Sequence, residues 1–200
     1  MEIVVFLTLG GWLWPVLGNL SFVSWTLLSF FCLHYFHRTF IFPFRLQVRG
    51  KKMPLSVILM GVAFNIINGS LFGIYFKQYA DYSWDWLRDP RFLSGTLIFF
   101  IGMLINWRAD YYLISLRKSN SSEYKIPRGW LFEYVSCPNL LGEIIEWVGY
   151  ALLTWSLPGL VFSIWTAANL IPRALAHHRW YLKTFPDYPP QRWAIIPFLW

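Results

Sequence analysis

The sequence predicts an all-α integral membrane protein, a polytopic helix bundle in a single domain. Three observations carry that expectation. Hydrophobic residues make up 56% of the 200 and charged residues only 14%, against about a quarter charged in ordinary soluble chains. The apolar residues gather into six runs. The 17 Lys and Arg avoid residues 1–37 altogether and then fall into four clusters at the ends of those runs.

The first run, 3–17, meets the breaker "WPVLGN" at 14–19, and the second, 21–36, follows at once, so the two read as a hairpin. The second run empties into a basic stretch holding Arg38, Arg45, Arg49, Lys51 and Lys52. The third, 54–76, leads to a charge-balanced loop, in which Lys77, Arg88 and Arg91 are offset by Asp81, Asp85 and Asp89. The fourth, 92–107, runs into Arg108, Arg117, Lys118, Lys125 and Arg128. The fifth and sixth, 140–155 and 157–172, are parted by "SLPG" at 156–159, and the tail carries Arg173, Arg179, Lys183 and Arg192. Several runs are shorter than the ~20 residues that cross a bilayer unaided, so they extend into polar flanks, tilt, or pair as hairpins. With one crossing per run, fourteen of the seventeen cations share one face. By the positive-inside rule that face is cytoplasmic. Aromatics at 21%, with 13 Trp and 18 Phe, suit a lipid-facing wall and two water–lipid boundaries.

Some function classes are excluded. The net charge of +7 follows topology rather than a nucleic-acid footprint. Cys32 and Cys137 define neither a disulfide nor a metal framework. No basic stretch precedes the first apolar run as in a cleavable secretory signal. A glycine-rich phosphate loop is absent too, and "RGKK" at 49–52 reads as a solvated basic loop. A nucleotide, if bound, sits on a non-Rossmann scaffold. No obligatory protein partner is evident.

Three runs carry polar stripes. Asn139, Glu143, Glu146 and Tyr150 are spaced four, three and four, with Trp147 beside them, so they share a helix face. Asn106, Asp110 and Arg117 are spaced four and seven, and Asn169, Arg173, His177 and Tyr181 by fours around Pro172, which is expected to kink its helix. The ordinary reading is interhelical glue, with Glu143 paired to Arg173 or Asp110 to Arg117. It weakens for the ensemble, because a bundle needs few such pairs and each costs insertion energy. A polar chamber open to the cytosol suits a charged, hydrogen-bonding ligand better. The arginines would meet phosphates, and Asn and Glu an amide or ribose. In the first hairpin, Glu2 and Tyr35 fall on opposite arms at similar depth. Taken singly, Tyr35 reads as an interface anchor, Glu2 as a solvated terminus, and His34 and His37 as headgroup-level residues.

The segments "FCLHYFHRTF" (31–40), "YKIPRGWLFEYVSCPNLLGEIIEWVGYALLTWSLP" (124–158) and "RALAHHRWYLKTFPDYPPQRWAIIPFLW" (173–200) resemble the membrane steroid 5α-reductases, or 3-oxo-5α-steroid 4-dehydrogenases. The resemblance implies a seven-helix bundle enclosing NADPH from the cytosolic side and reducing the C4–C5 double bond of 3-oxo-Δ4 steroids. On that pattern residues 1–76 form a substrate-slot half and 92–200 an NADPH-binding half. It implies Tyr35 as the residue polarising the carbonyl and Glu2 as its partner. The NADPH-contacting positions it implies are Asn106, Asp110, Arg117, Tyr124, Lys125, Asn139, Glu143, Trp147, Arg173, His177 and Tyr181, with Glu146 expected to be structural. Three departures stand out: the family places one more helix before the Glu-bearing one, Ala176 stands where relatives often carry His, and Trp130 where many have Gly. The expected setting is the endoplasmic reticulum membrane in a eukaryote or the plasma membrane in a bacterium.

Rival readings have their own discriminators. A reductase of enoyl thioesters or polyprenoids would use the same cofactor stripes and reject ketosteroids. A membrane methyltransferase of the isoprenylcysteine type would bind S-adenosylmethionine, against the "YKIPRG" and "GEIIEW" text. A transporter or scaffold would not bind NADPH.

Overall fold

The computed structural model describes residues 2–46, 53–118 and 124–196, without the side chains of residues 117 and 118. The "RGKK" loop therefore lies outside the described residues. Among the described residues seven α-helices follow the six apolar runs: α1 Ile3–Leu13, α2 Phe22–Phe36, the short α3 Phe42–Arg45, α4 Leu55–Gln78, α5 Pro90–Lys118, α6 Pro138–Thr154 and α7 Leu157–Thr184. A 3₁₀ turn, Trp14–Asn19, closes the first hairpin, and Ser21 caps α2 by accepting from the Ser24 N–H at 3.1 Å. The only strand-like pairing among the described residues is one parallel bridge, Val135 to Trp193.

Among the described residues three helices, α4, α5 and α7, are each long and apolar enough to cross a membrane. α5 and α7 outrun their apolar runs at the C-terminal end, reaching Lys118 and Thr184. The polar stripes are thus helical extensions of the spans. α7 also runs on through Pro172, which stands inside the helix.

Between α2 and α3 the chain makes a π turn over His37–Ile41. Pro43 explains the change of pitch: its ring nitrogen cannot donate to the Thr39 carbonyl, so the normal ladder cannot continue through it. His34, on α2 itself, and His37, at the start of the π turn, are only 4% and 2% exposed. Their expected placement at headgroup level is corrected accordingly.

Helix contact is closest between α5 and α6, then between α1 and α4 and between α6 and α7. Glycines set the α5–α6 spacing. A Cβ on Gly102 would fall 2.2 Å from the Glu146 backbone nitrogen, and one on Gly142 2.4 Å from that of Asn106. Gly95 and Gly149 face each other in the same way one heptad further on. Small residues let helix backbones approach where lipid offers no hydrophobic drive. Gly142→Ala is expected to push the helices apart at a cost of ~1–3 kcal/mol, read as earlier thermal unfolding in detergent. Unchanged unfolding would show that α5 and α6 are not held this close.

The core is aromatic. Phe31 packs on Tyr35, Phe72, Trp147 and Tyr150, with ring centroids 4.7 to 6.0 Å apart. Trp147 meets Phe162 edge-on at 4.3 Å. At the end away from the basic loops, Tyr75 and Tyr82 share a 2.7 Å hydrogen bond, and Tyr82 donates to the Thr154 carbonyl. There Asp89 accepts from Arg91 Nε and Nη2, which hold its carboxyl down at about 2. An apolar depression of about 390 Å³, lined by Leu71, Ile74, Tyr75, Tyr79, Leu157 and Pro158, opens at this end too.

The C-terminal segment clasps the opposite end. Ser136 N–H donates to the Trp193 carbonyl and Trp193 N–H to the Tyr134 carbonyl, while Ile195 is fully buried. Arg192 donates to the Pro127 carbonyl at 2.8 Å and to Glu133 at 3.2 Å. The Gly129 N–H and then Arg192 hold the Glu133 carboxyl below its ordinary 4.5. A depressed carboxyl stabilises the fold above its unfolded pKa, and that contribution is lost as the pH falls through the folded value. The clasp is therefore expected to loosen below about pH 4.5, seen as a change in Trp193 fluorescence. Glu133→Gln should flatten that acid transition, and an identical transition in the variant would clear Glu133 of the effect.

Candidate active site

A polar cluster occupies the clasped end of the bundle, built by α2, α5 and α6. From α6, Asn139 donates through Nδ2 to Asp110 Oδ1 at 2.9 Å. From α5, Asn106 donates through Nδ2 to the Asn139 carbonyl at 3.0 Å, and its Oδ1 is buried without a hydrogen-bond partner among the described residues. Arg38, past the end of α2, donates Nη1 to Asp110 Oδ2 at 3.3 Å and Nη2 to Glu143 Oε2 at 3.0 Å. One guanidinium thus bridges two acids on two helices, the planar fork suiting that geometry. Glu143 takes Arg38, not Arg173, as its ion-pair partner among the described residues. Below it, Glu146 is fully buried and pairs with His34 Nδ1 at 2.8 Å, its second oxygen without a partner among the described residues. His37 stacks on Trp107 at 4.3 Å and shares a hydrogen bond with Tyr111.

A second polar cluster lies where α1, α2 and α4 meet. Tyr35 is 3% exposed, and its phenol oxygen accepts from Asn68 Nδ2 at 2.9 Å. One turn away on α4, Asn65 Nδ2 donates to Glu2 Oε2 at 3.4 Å. α1 reaches α4 this closely because Gly69 and Gly73 lie beneath Thr8 and Trp12. His34 and Trp147, 5.3 and 6.1 Å from Tyr35 by ring centroids, join the two clusters.

The remaining expected site residues are placed differently. Trp147 is 1% exposed and sits in the aromatic core. Asn169, Arg173 and His177 are exposed along α7, and Asn169 Nδ2 donates to the Trp165 carbonyl of its own helix. Tyr181 stacks on Tyr188 at 5.1 Å. Tyr124 is exposed and edge-on to Trp180 at 5.1 Å, and Lys125 is exposed nearby. The Arg117 side chain lies outside the described residues. Hydrogen bonds therefore join Asn106, Asp110 and Asn139 directly and Glu143 through Arg38, and α2 with the turn that follows it, rather than α7, supplies the third wall. Four members were missed in the sequence: Arg38 and His34, four apart beside Tyr35, and Asn65 and Asn68, three apart in an apolar helix. Each pair is a readable one-face signal. Among the described residues no group of His, Cys, Asp and Glu could hold a metal ion.

This arrangement can be set beside known proteins. The family model described as 3-oxo-5-alpha-steroid 4-dehydrogenase matches residues 51–200. The chain belongs to that family. It is 49% identical over 173 residues to 3-oxo-5-alpha-steroid 4-dehydrogenase 1 of Bos taurus and 52% identical over 173 residues to 3-oxo-5-alpha-steroid 4-dehydrogenase 2 of Homo sapiens, covering 86% of this chain and 67% of each relative. It is 49% identical over 184 residues to the steroid 5-alpha-reductase DET2 of Gossypium hirsutum, covering 88% of this chain and 70% of that one. The 3-oxo-5-alpha-steroid 4-dehydrogenase family is one of oxidoreductases, so the chain is an oxidoreductase with apolar helices long enough to cross a membrane.

Proposed function

We propose that the protein reduces the C4–C5 double bond of 3-oxo-Δ4 steroids to 5α-dihydro products, using NADPH. Membership of the 3-oxo-5-alpha-steroid 4-dehydrogenase family carries the reading. The chemistry of the donor set fits a dinucleotide. Asn106 keeps a buried amide oxygen without a partner among the described residues, Asn139 and Glu143 lie on the facing helix, and Arg173, Lys125 and His177 are exposed at the same end. In this reading Arg173, Lys125 and Arg117 meet phosphates. Asn106, Asp110, Asn139 and Glu143 hold the amide and ribose groups, with Tyr124, Trp147, His177 and Tyr181 completing the seat.

When bound, NADPH supplies the hydride that adds at C5. The residues of the chain handle the charge that follows. Electrons are pushed onto the 3-oxo oxygen, so the site must stabilise a developing oxyanion, which returns to the ketone as C4 takes a proton from solvent. Tyr35 donates its phenol hydrogen there, a phenol of ordinary pKa about 10 being a strong donor without ionising in water. Glu2 orients that hydroxyl or, when protonated, adds a second donor. The apolar first half, 1–76, walls a slot for a rigid hydrocarbon entering from the lipid, in the endoplasmic reticulum of a eukaryotic cell or the plasma membrane of a bacterium.

The test is to incubate detergent-purified protein with NADPH and a panel of Δ4-3-ketosteroids. Reduced-nicotinamide absorbance and the C5 configuration of the product are followed together. Oxidation of NADPH with a 5α product is expected. Consumption only with acyl or polyprenyl enones would move the activity to those substrates.

A further inference from the structure

Asn68 stands apart from the groups assigned above. It lies in the middle of α4, is 2% exposed, and its amide nitrogen ends 2.9 Å from the Tyr35 oxygen. An asparagine at such depth is expensive unless its polar atoms are used. Its direction matters more than its presence. Because Asn68 donates, the phenol oxygen is the acceptor in this contact, and its own hydrogen is left for another oxygen. A hydroxyl that accepts one hydrogen bond is also polarised toward giving a stronger one.

We infer that Asn68 is a positioning residue: through its hydrogen bond to the phenol oxygen of Tyr35, it turns the phenol hydrogen toward the substrate's 3-oxo group. This rests on the role given to Tyr35 under the proposed function. Asn68 touches neither substrate nor cofactor in this account. Its removal therefore acts on turnover and leaves binding alone.

Two substitutions separate positioning from packing. Asn68→Asp keeps the shape but offers an acceptor, which captures the phenol hydrogen and points it away from the steroid. Asn68→Leu keeps the volume and offers nothing. Losing one net hydrogen bond of ~1 kcal/mol is about fivefold, so Asn68→Leu is expected to lower kcat about five- to tenfold. Asn68→Asp should lower it by about a hundredfold, towards the level of losing the phenol donor itself. NADPH affinity and steroid KM should stay within about threefold of wild type in both, the split expected when an interaction acts only in the transition state. In a Tyr35→Phe background neither change should lower kcat further, because residues acting through one group are not additive.

The folded state of each variant is read from its NADPH affinity, which also keeps the test alive on Asn68→Leu if Asn68→Asp does not fold. Wild-type kcat in a folded Asn68 variant, beside a crippled Tyr35→Phe, overturns this inference alone. Full additivity in the Tyr35→Phe background overturns it as well, since Asn68 would then act by another route. A wild-type rate for Tyr35→Phe overturns both the inference and the reading of Tyr35 beneath it.

Discussion

Tyr35→Phe is expected to lower kcat by ~10²–10³-fold, the usual cost of removing one donor aimed at a developing oxyanion. The substitution deletes a single hydroxyl and leaves the ring among Phe31, His34 and Trp147. Packing is therefore preserved, although the Asn68 amide loses its acceptor. That loss falls on stability, not on binding of the dinucleotide, because the phenol lies in the α1–α2–α4 cluster and not among the α5–α6 amides and acids. NADPH affinity should stay near that of the parent. A rate within a few-fold of wild type would remove the phenol from the reaction.

Arg38→Leu is expected to have the largest effect on stability. The side chain is a quarter exposed, yet it serves Asp110 and Glu143, whose side chains are 9% and 13% exposed. Without it Glu143 loses its ion-pair partner and Asp110 keeps its bond from Asn139. Stranding a partly buried carboxylate costs about 3 kcal/mol, so the variant should unfold well below wild type in detergent. Adding Glu143→Gln should restore part of the loss, since the uncompensated charge goes with it. Equal stability of Arg38→Leu and wild type, or no relief from the second substitution, would show that the bridge carries little.

The course of the backbone was legible where composition changes abruptly. Pro and Gly at 14–19 and 156–159 mark the hairpin turns, and the apolar runs became helices in order. The ends were less legible. Polar residues with a four-residue period, such as Asn106 and Asp110, continue a helix past the apolar stretch as readily as they stop it. The α5–α6 half of the site was legible for the same reason, since four- and three-residue spacings place side chains on one face. The α2 wall was not. His34, His37 and Arg38 stand among aromatics near a helix end, where headgroup residues are commonest; His34 is buried on α2 itself, and His37 and Arg38 follow in the π turn before Pro43. Asn65 and Asn68 were overlooked although they stand one turn apart in a 24-residue apolar helix. In a membrane span, such a pair is a stronger signal than in a soluble one, because each unpaired amide is costly. The Arg173 pairing failed for a different reason. Spacing identifies the face a residue shares with its own helix neighbours, and says nothing of which neighbouring helix reaches that face first.

The central claim is that amides and acids of α5 and α6 seat a reduced dinucleotide beside the Tyr35 cluster. Equilibrium titration of purified Glu143→Ala with NADPH, beside wild type, tests it most directly. Loss of a hydrogen bond to a charged group is worth ~1.5–3 kcal/mol, so affinity should fall about ten- to a hundredfold. Undiminished affinity in the folded variant would contradict the account.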